Sequence, residues 1–376
     1  MYLIFFFFFQ ELHAHLSGSI SDETILKLLG TKDASLSEDI IEEMKSILKM
    51  KDKRSLEECF KIFSLLHTLT NSISNIKTCT YDVIKEFSED NVWYLELRST
   101  PKNVIGSYTK EDYIKAVLET VKLLMIISIK AVLKTKCNSL YIHREAEKSF
   151  GIIVRILISI DRSRGVEDAW DTLKIVKELR NNVVYKKYIR GIDVSGNPSK
   201  ESLLEYLPIL REVREMELKL AVHLLELCES VAFEEAAEIF SEGLVDRIGH
   251  GTFLNQKLSG ETSNLVNVVL ERKIPLEICI TSNIKCGTVK DLASHHVNWW
   301  KNKDHPIAIC TDDKGVFSTT LSDEICLYCK AVDGDIQDVM DMISTSIEAS
   351  FLDENEKQDL KQRIFNYMKN VVDEAT

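Results

Sequence analysis

Glu11-Leu12-His13-Ala14-His15 puts two imidazoles one residue apart, directly after an apolar run from Met1 to Phe9. On an extended strand, residues i and i+2 point to the same side, so His13 and His15 can aim at one point at the strand's end. His223, in Val222-His223-Leu224-Leu225-Glu226, and Asp312, in Cys310-Thr311-Asp312-Asp313, also follow short apolar stretches. Singly, each has an ordinary reading: a surface histidine, a histidine at a sheet edge, an aspartate in a turn. Together His13, His15, His223 and Asp312 form a three-nitrogen, one-oxygen set that suits Zn²⁺, one ion per chain, with a position left for water. A water so held has a pKa of roughly 7, which supplies a nucleophile at neutral pH.

Glu226, three residues after His223, can bring a carboxyl beside such a metal as general acid or base; taken alone it would be a solvated helix residue. His250 lies between Gly249 and Gly251, which suggests close backbone packing around an imidazole that faces the site rather than a plain turn histidine. Lys102 follows Ser99-Thr100-Pro101. Two hydroxyls beside an ammonium at a strand end form a reasonable phosphate pocket. A nucleoside offers this lysine no charge, whereas a nucleoside monophosphate does; the plain alternative points Lys102 to solvent.

These residues need a scaffold that gathers them. Met1–Phe9 reads as the body of a first strand that ends at the histidine pair. Further strands are expected at Val92–Arg98, Gly151–Ile160, Tyr188–Val194, Leu218–Val222, Val245–Gly249, Ile274–Ile280 and Pro306–Cys310. Amphipathic helices separate them, among them one capped by Ser21, others over Ser37–Met50, Ser55–Thr70 and Ile73–Asp90, and one over Lys200–Met216. Cys137–Phe150 reads as a loop or insertion. Strands alternating with helices imply a parallel sheet, and eight such units suggest a closed (β/α)8 barrel with additional helices, as one domain over 1–376. In that fold the chemistry sits at the C-terminal ends of the strands, where His13/His15, Ser99/Thr100, Asp161, Gly196, His223, His250, Asn283 and Asp312/Asp313 all fall. A doubly wound open sheet is the alternative, and it would gather ligands at one switch point instead.

Composition narrows the function. A net charge of −12, from 59 acidic and 47 basic residues, disfavours a general nucleic-acid binder. The nine cysteines are scattered without disulfide-like spacing, which suits a reducing, cytoplasmic setting. Cys326-x-x-Cys329 reads as an ordinary part of a helix. The apolar start is too short to span a bilayer and lacks the basic flank and cleavage site of a signal peptide. Leu123–Val132 is interrupted by Lys130 and fits a buried helix, so no membrane association is expected. A cytidine-type zinc deaminase needs H-x-E followed by P-C-x-x-C. Here His143-Arg144-Glu145 is far from Cys326, which Ile325 precedes, so that class is excluded. Neither a GxGxxG nor a GxxxxGK[ST] phosphate loop is present.

Six segments, in order along most of the chain, carry a resemblance: Glu11-Leu-His-Ala-His-Leu16, Ser99-Thr-Pro101, Gly191-Ile-Asp-Val-Ser-Gly196, His223-Leu-Leu-Glu226, Asp246-Arg-Ile-Gly-His-Gly251 and Cys310-Thr-Asp-Asp313. The chain resembles the adenosine deaminase family, on the amidohydrolase type of TIM barrel. Cys59-Phe60 through His67, Ser99–Lys102, Ser159–Arg162, Thr281-Ser282-Asn283 and Asp312–Phe317 resemble its adenosine deaminase-like branch. The resemblance implies hydrolysis of N6-methyl-AMP and related N6-substituted AMPs to IMP and the free amine, by a monomer. The alternatives are deamination of adenosine to inosine, or a nucleotide-binding relic. It implies that His13, His15, His223 and Asp312 hold zinc, that Glu226 protonates purine N1, and that His250 steadies the attacking hydroxide. Asp313 is expected at N7 or at the hydroxide, and the Gly196 backbone against the purine. His15, Ser17, His67, Ser99, Thr100, Pro101, Lys102 and Asp161 complete the substrate contacts. Two departures stand out: Ser17 replaces the family's usual Asn or Asp, and Lys102 stands where the branch commonly has arginine.

Overall fold

Eight strands pair in chain order, every neighbour parallel: β1 (Phe9–His15), β2 (Val92–Ser99), β3 (Ile153–Asp161), β4 (Ile189–Ser195), β5 (Lys219–Leu224), β6 (Arg247–His250), β7 (Leu276–Ile278) and β8 (Ile307–Ile309). The computed structural model describes residues 7–30, 37–135, 151–256 and 262–375; the expected loop at Cys137–Phe150 and the first six residues lie outside them. The ring closes where β1 meets the residues just after β8. Ala14 bridges Asp312, the His15 N–H donates to the Asp312 carbonyl (3.0 Å), and the Asp312 N–H donates to the His13 carbonyl (2.8 Å). This is the (β/α)8 barrel that the strand and helix count implied, with the strand ends gathered at one mouth.

The helices form for the local reasons the sequence offered. Ser21, Ser37 and Ser55 each cap a helix through the side-chain oxygen, and Ser55 with Glu58 forms a complete capping box. The helix that begins at Leu56 and ends at Leu69 carries Phe63, Leu66 and His67 to the barrel mouth.

Three expectations need correction. Among the described residues the first strand begins at Phe9, so Phe7 and Phe8 are not part of it: Phe8 stacks on Trp93 with ring centroids 3.6 Å apart and meets Tyr367 edge-on at 4.3 Å. The apolar character of Phe7 and Phe8 thus serves packing at the base of the barrel rather than strand pairing. The expected helix over Lys200–Met216 is broken into a 3₁₀ turn, Leu203–Tyr206, and a helix, Leu207–Glu215. Pro208 explains the break, because it lacks an N–H and is accommodated only in a first turn. Finally, β7 stops at Ile278, and Ile280–Lys285 turns into a short helix that buries Ser282 and Asn283.

Apolar residues fill the layer between strands and helices. Inside the barrel, below the mouth, lies a different layer: Glu96, Arg98, Asp193, Arg247 and Glu277, all 0% exposed. Buried charges persist only when paired, and these are. Arg98 joins Asp193 and Glu277, Arg247 joins Glu96 and Glu277, and the Arg247 guanidinium lies 3.6 Å from the centre of the Phe351 ring.

Candidate active site

β1, β5, β6 and β8 bring His13, His15, His223, His250 and Asp312 to one point. The ring of His13 lies 5.2 Å from that of His15, 4.6 Å from His223 and 4.9 Å from His250, centroid to centroid. Asp312 Oδ1 is 3.5 Å from Nε2 of both His13 and His15. Two ligand atoms at about 2.1 Å from a shared ion, at the tetrahedral angle, stand roughly 3.4 Å apart. The spacing therefore fits one tetrahedral cation.

The hydrogen bonds behind the imidazoles point the same way. His13 Nδ1 lies 2.8 Å from Glu277 Oε2; the carboxylate only accepts, so Nδ1 carries a proton and Nε2 is the nitrogen left for a metal ion. His223 Nδ1 faces two acceptors, the Val194 carbonyl at 3.1 Å and Asp193 Oδ1 at 3.2 Å, which leaves its Nε2 free in the same manner. His13 Nε2 is fully buried and has no hydrogen-bond partner. A buried ring nitrogen without a hydrogen-bond partner, beside a carboxylate and two further imidazoles, is what a metal site presents. Ser282 Oγ donates to Asp312 Oδ2 (2.7 Å), leaving Oδ1 for the centre.

Charge is distributed unevenly. Burial tends to raise the Asp312 carboxyl, but the imidazoles of His13, His250 and His15 outweigh it and hold the group well below the carboxylate range. Burial pushes His15 down to about 3 and His250 well below its ordinary value. His13 goes the other way: Asp312 and Glu277 overcome burial and Arg98 and lift it to about 9. Glu226 is half-buried, and burial raises its carboxyl. It reaches the centre because Leu225, just after β5, adopts a left-handed conformation (φ 53°) that swings the next side chain over the mouth. Burial, reinforced by neighbouring Asp312, also raises Asp313 well above the usual range. Gly18 makes room for it, since a Cβ there would fall 1.7 Å from Asp313 Oδ1. The Asn283 amide lies 3.4 Å from His250 Nδ1, so the ring's Nε2 faces Asp312 Oδ2, at 3.8 Å.

A cavity of about 300 Å³ runs from this centre across the mouth. His15, His223, His250, Glu226, Asp312 and Asp313 line its inner end. Ser17, His67, Thr100, Lys102, Asp161 and Gly196 line the rest, as expected. Ser99 and Pro101 do not. The Ser99 hydroxyl is buried against Tyr113 Oη (3.0 Å), and Pro101 offers only its carbonyl, to Arg164 Nη1 (2.7 Å). Gly196, at φ 98°, packs against Asp161: a Cβ would lie 2.1 Å from Asp161 Oδ1.

Sequence reasoning missed Arg164, Thr70 and Tyr113, together with the apolar wall of Leu16, Phe63 and Leu66. Arg164 follows β3 in Asp161-Arg162-Ser163-Arg164, and the basic run beyond a strand end was the available signal. Lys102 and Arg164 make the outer end of the cavity cationic. Burial, then Arg164, lowers the Lys102 ammonium to about 8, and burial and these two cations lower His67 as well.

Residues 9–367 match the adenosine deaminase family as a whole. The chain belongs to the adenosine deaminase family. Members of this family are metal-dependent amidohydrolases, in keeping with the histidine and aspartate cluster. Among curated relatives, human N6-methyl-AMP deaminase is 37% identical over 361 residues, which covers 96% of this chain and 92% of that one. The apo structure of the N6-methyl-AMP deaminase from Arabidopsis thaliana superposes with a TM-score of 0.79 at 31% identity, covering 97% of this chain and 98% of that one. A related Arabidopsis structure, complexed with IMP, matches with the same score, identity and coverage. Among the described residues no helix is long and apolar enough to cross a membrane.

Proposed function

We propose that this chain is a zinc-dependent deaminase that hydrolyses N6-methyl-AMP, and related N6-substituted AMPs, to IMP and the free amine. The observation that carries the reading is one cavity with two unlike ends: a three-imidazole, one-carboxylate cluster at the bottom and the cations of Lys102 and Arg164 at the rim. A purine 5′-monophosphate has the matching polarity, with its reacting carbon at one end and its dianion at the other. The relatives named N6-methyl-AMP deaminase and the neighbour holding IMP support the same substrate.

His13, His15, His223 and Asp312 would hold the ion; imidazole-rich ligation with a single carboxylate suits Zn²⁺ better than an all-oxygen cation. When bound, Zn²⁺ supplies a water acidic enough to attack at neutral pH. Glu226, whose carboxyl burial raises, donates to purine N1 and makes C6 electrophilic. His250, kept neutral, lies where it can accept the attacking water's proton at Nε2. Asp313, whose carboxyl burial and Asp312 raise well above the usual range, donates to N7. The Gly196 backbone lies against the purine, Ser17, Asp161 and Thr100 contact the sugar and its linkage, and His67, Lys102 and Arg164 meet the phosphate. One chain supplies all of these groups, in keeping with a monomer, and its scattered cysteines suit the cytoplasm.

The test is a comparison of kcat/KM for N6-methyl-AMP and adenosine on the Zn²⁺-loaded full chain. The nucleotide should be the better substrate; faster turnover of adenosine would overturn the assignment.

A further inference from the structure

We infer that Arg98 is a positioning residue that holds the metal-facing imidazoles of His13 and His223 in fixed relation, and so sets how tightly the centre retains its ion. The inference rests on the metal reading above. Arg98 sits in β2 beside His15 of β1, is 0% exposed, and its guanidinium hydrogen-bonds none of the four proposed ligands. It acts one step behind them. Arg98 Nη1 donates to Asp193 Oδ1 (2.7 Å), and that same oxygen lies 3.2 Å from His223 Nδ1. Arg98 Nη2 donates to Glu277 Oε2, and that same oxygen lies 2.8 Å from His13 Nδ1. The two terminal nitrogens of one planar fork therefore grip the very two oxygens that orient two imidazoles. Nη2 also donates to the Leu12 carbonyl (3.0 Å), which fixes the β1 backbone one residue before His13.

A guanidinium is rigid, so the separation of its nitrogens is built into the separation of the two carboxylate oxygens, and through them into that of the rings, 4.6 Å apart. An ammonium is a single point charge and cannot hold both oxygens with the same geometry. Arg247 provides the contrast within the same layer. It is equally buried, but it grips Glu277 by the other oxygen, Oε1 (2.6 Å), and its second carboxylate, Glu96, contacts Tyr94 and the Phe351 N–H rather than a histidine. Arg247 thus stabilises the barrel interior without spanning two ligands.

The experiment is Zn²⁺ affinity by competition with a chelating indicator, on the full-length chain, for wild type, Arg98→Lys and Arg247→Lys. Loss of a partner behind a metal ligand typically costs about 10–100-fold in affinity, so Arg98→Lys should weaken Zn²⁺ by that factor while Arg247→Lys stays within about three-fold of wild type. The d–d absorption of Co²⁺ bound in place of Zn²⁺ should shift in Arg98→Lys and not in Arg247→Lys, a change that general destabilisation would not produce. Equal losses in the two variants, or wild-type affinity in Arg98→Lys, would overturn the inference. If Arg98→Lys does not fold, Asp193→Asn carries the test: it breaks the chain of contacts at one link and should weaken Zn²⁺ about ten-fold or more, and unchanged affinity would refute the role. A wild-type chain that takes up no Zn²⁺ would sink the metal reading itself, whereas tight binding by wild type and variants alike would sink only the role of Arg98.

Discussion

Lys102→Ala separates a phosphate-binding enzyme from a nucleoside-binding one. The ammonium already donates to the His67 carbonyl (2.8 Å) and to Thr70 Oγ1 (2.9 Å). It has three donors, so one remains for a ligand. A hydrogen bond to a charged group contributes about 1.5–3 kcal/mol, and each 1.4 kcal/mol or so is a factor of ten. KM for N6-methyl-AMP should therefore rise about 10–100-fold in the variant. The loosened tie between Lys102 and the helix end at His67 and Thr70 would affect any substrate, so N6-methyladenosine is the internal control, and its KM should move by no more than about two-fold. A pH series adds an independent arm. Burial and Arg164 bring Lys102 down to about 8, so the free enzyme loses this positive charge as pH rises past that value. KM for the nucleotide should be flat between about pH 7 and 8, where the phosphate stays a dianion, and climb above that range, while KM for the nucleoside stays flat. Lys102→Arg should abolish the climb, because a guanidinium does not deprotonate in this range. Equal effects of Lys102→Ala on both substrates, measured by steady-state kinetics, would refute phosphate contact at this residue.

Glu226→Gln keeps the size of the side chain but removes the acidic proton, so kcat should fall about 10²–10⁴-fold while Zn²⁺ content, measured by elemental analysis, stays at the wild-type level. Glu324 offers a stability test away from the centre: it accepts from the Thr281 N–H (3.1 Å) and from Thr319 Oγ1 (2.8 Å), yet burial outweighs these bonds and raises its carboxyl from 4.5 to about 7. A group raised on folding contributes stability that is complete below its unfolded value and is lost as pH rises through its folded one. Stability should decline between about pH 4.5 and 7, and Glu324→Gln should exceed wild type by roughly 1–3 kcal/mol at pH 8 but not at pH 4, in urea unfolding.

The proposed ligands and general acid were legible because each is a polar residue at or just beyond the end of an apolar strand, and a parallel barrel places all such ends on one face. The layer beneath them was not. Strands of a parallel barrel are buried on both sides, so the sequence around Asp193 or Glu277 does not reveal which side chains point to the axis and which to the helices. A charge in the middle of Leu276-Glu277-Ile278 signals an obligatory partner without saying where that partner lies. Ser99 and Pro101 were drawn into the substrate site by their continuity with Thr100 and Lys102, but the strand's alternation turns Ser99 away, toward Tyr113. Arg164 was overlooked because its role depends on β3 ending beside β2, a register visible only in three dimensions.

The seam of the barrel has a consequence for how the chain comes to be active. β1 is joined to the residues just after β8 by the Ala14–Asp312 bridge, reinforced by the Glu11 carboxylate, which accepts from the Thr311 N–H and hydroxyl across 300 positions of sequence. Contacts of such separation form late, because a long loop must close before they reward it. During synthesis the chain emerges with His13 and His15 first; His13 waits for Glu277, and Asp312, the carboxylate that faces both imidazoles, follows later still. A nascent or truncated chain therefore carries half of the proposed centre, and an ion held by the proposed ligands would bridge the seam and act as a late check on folding, rewarding only those molecules whose first and last strands have met.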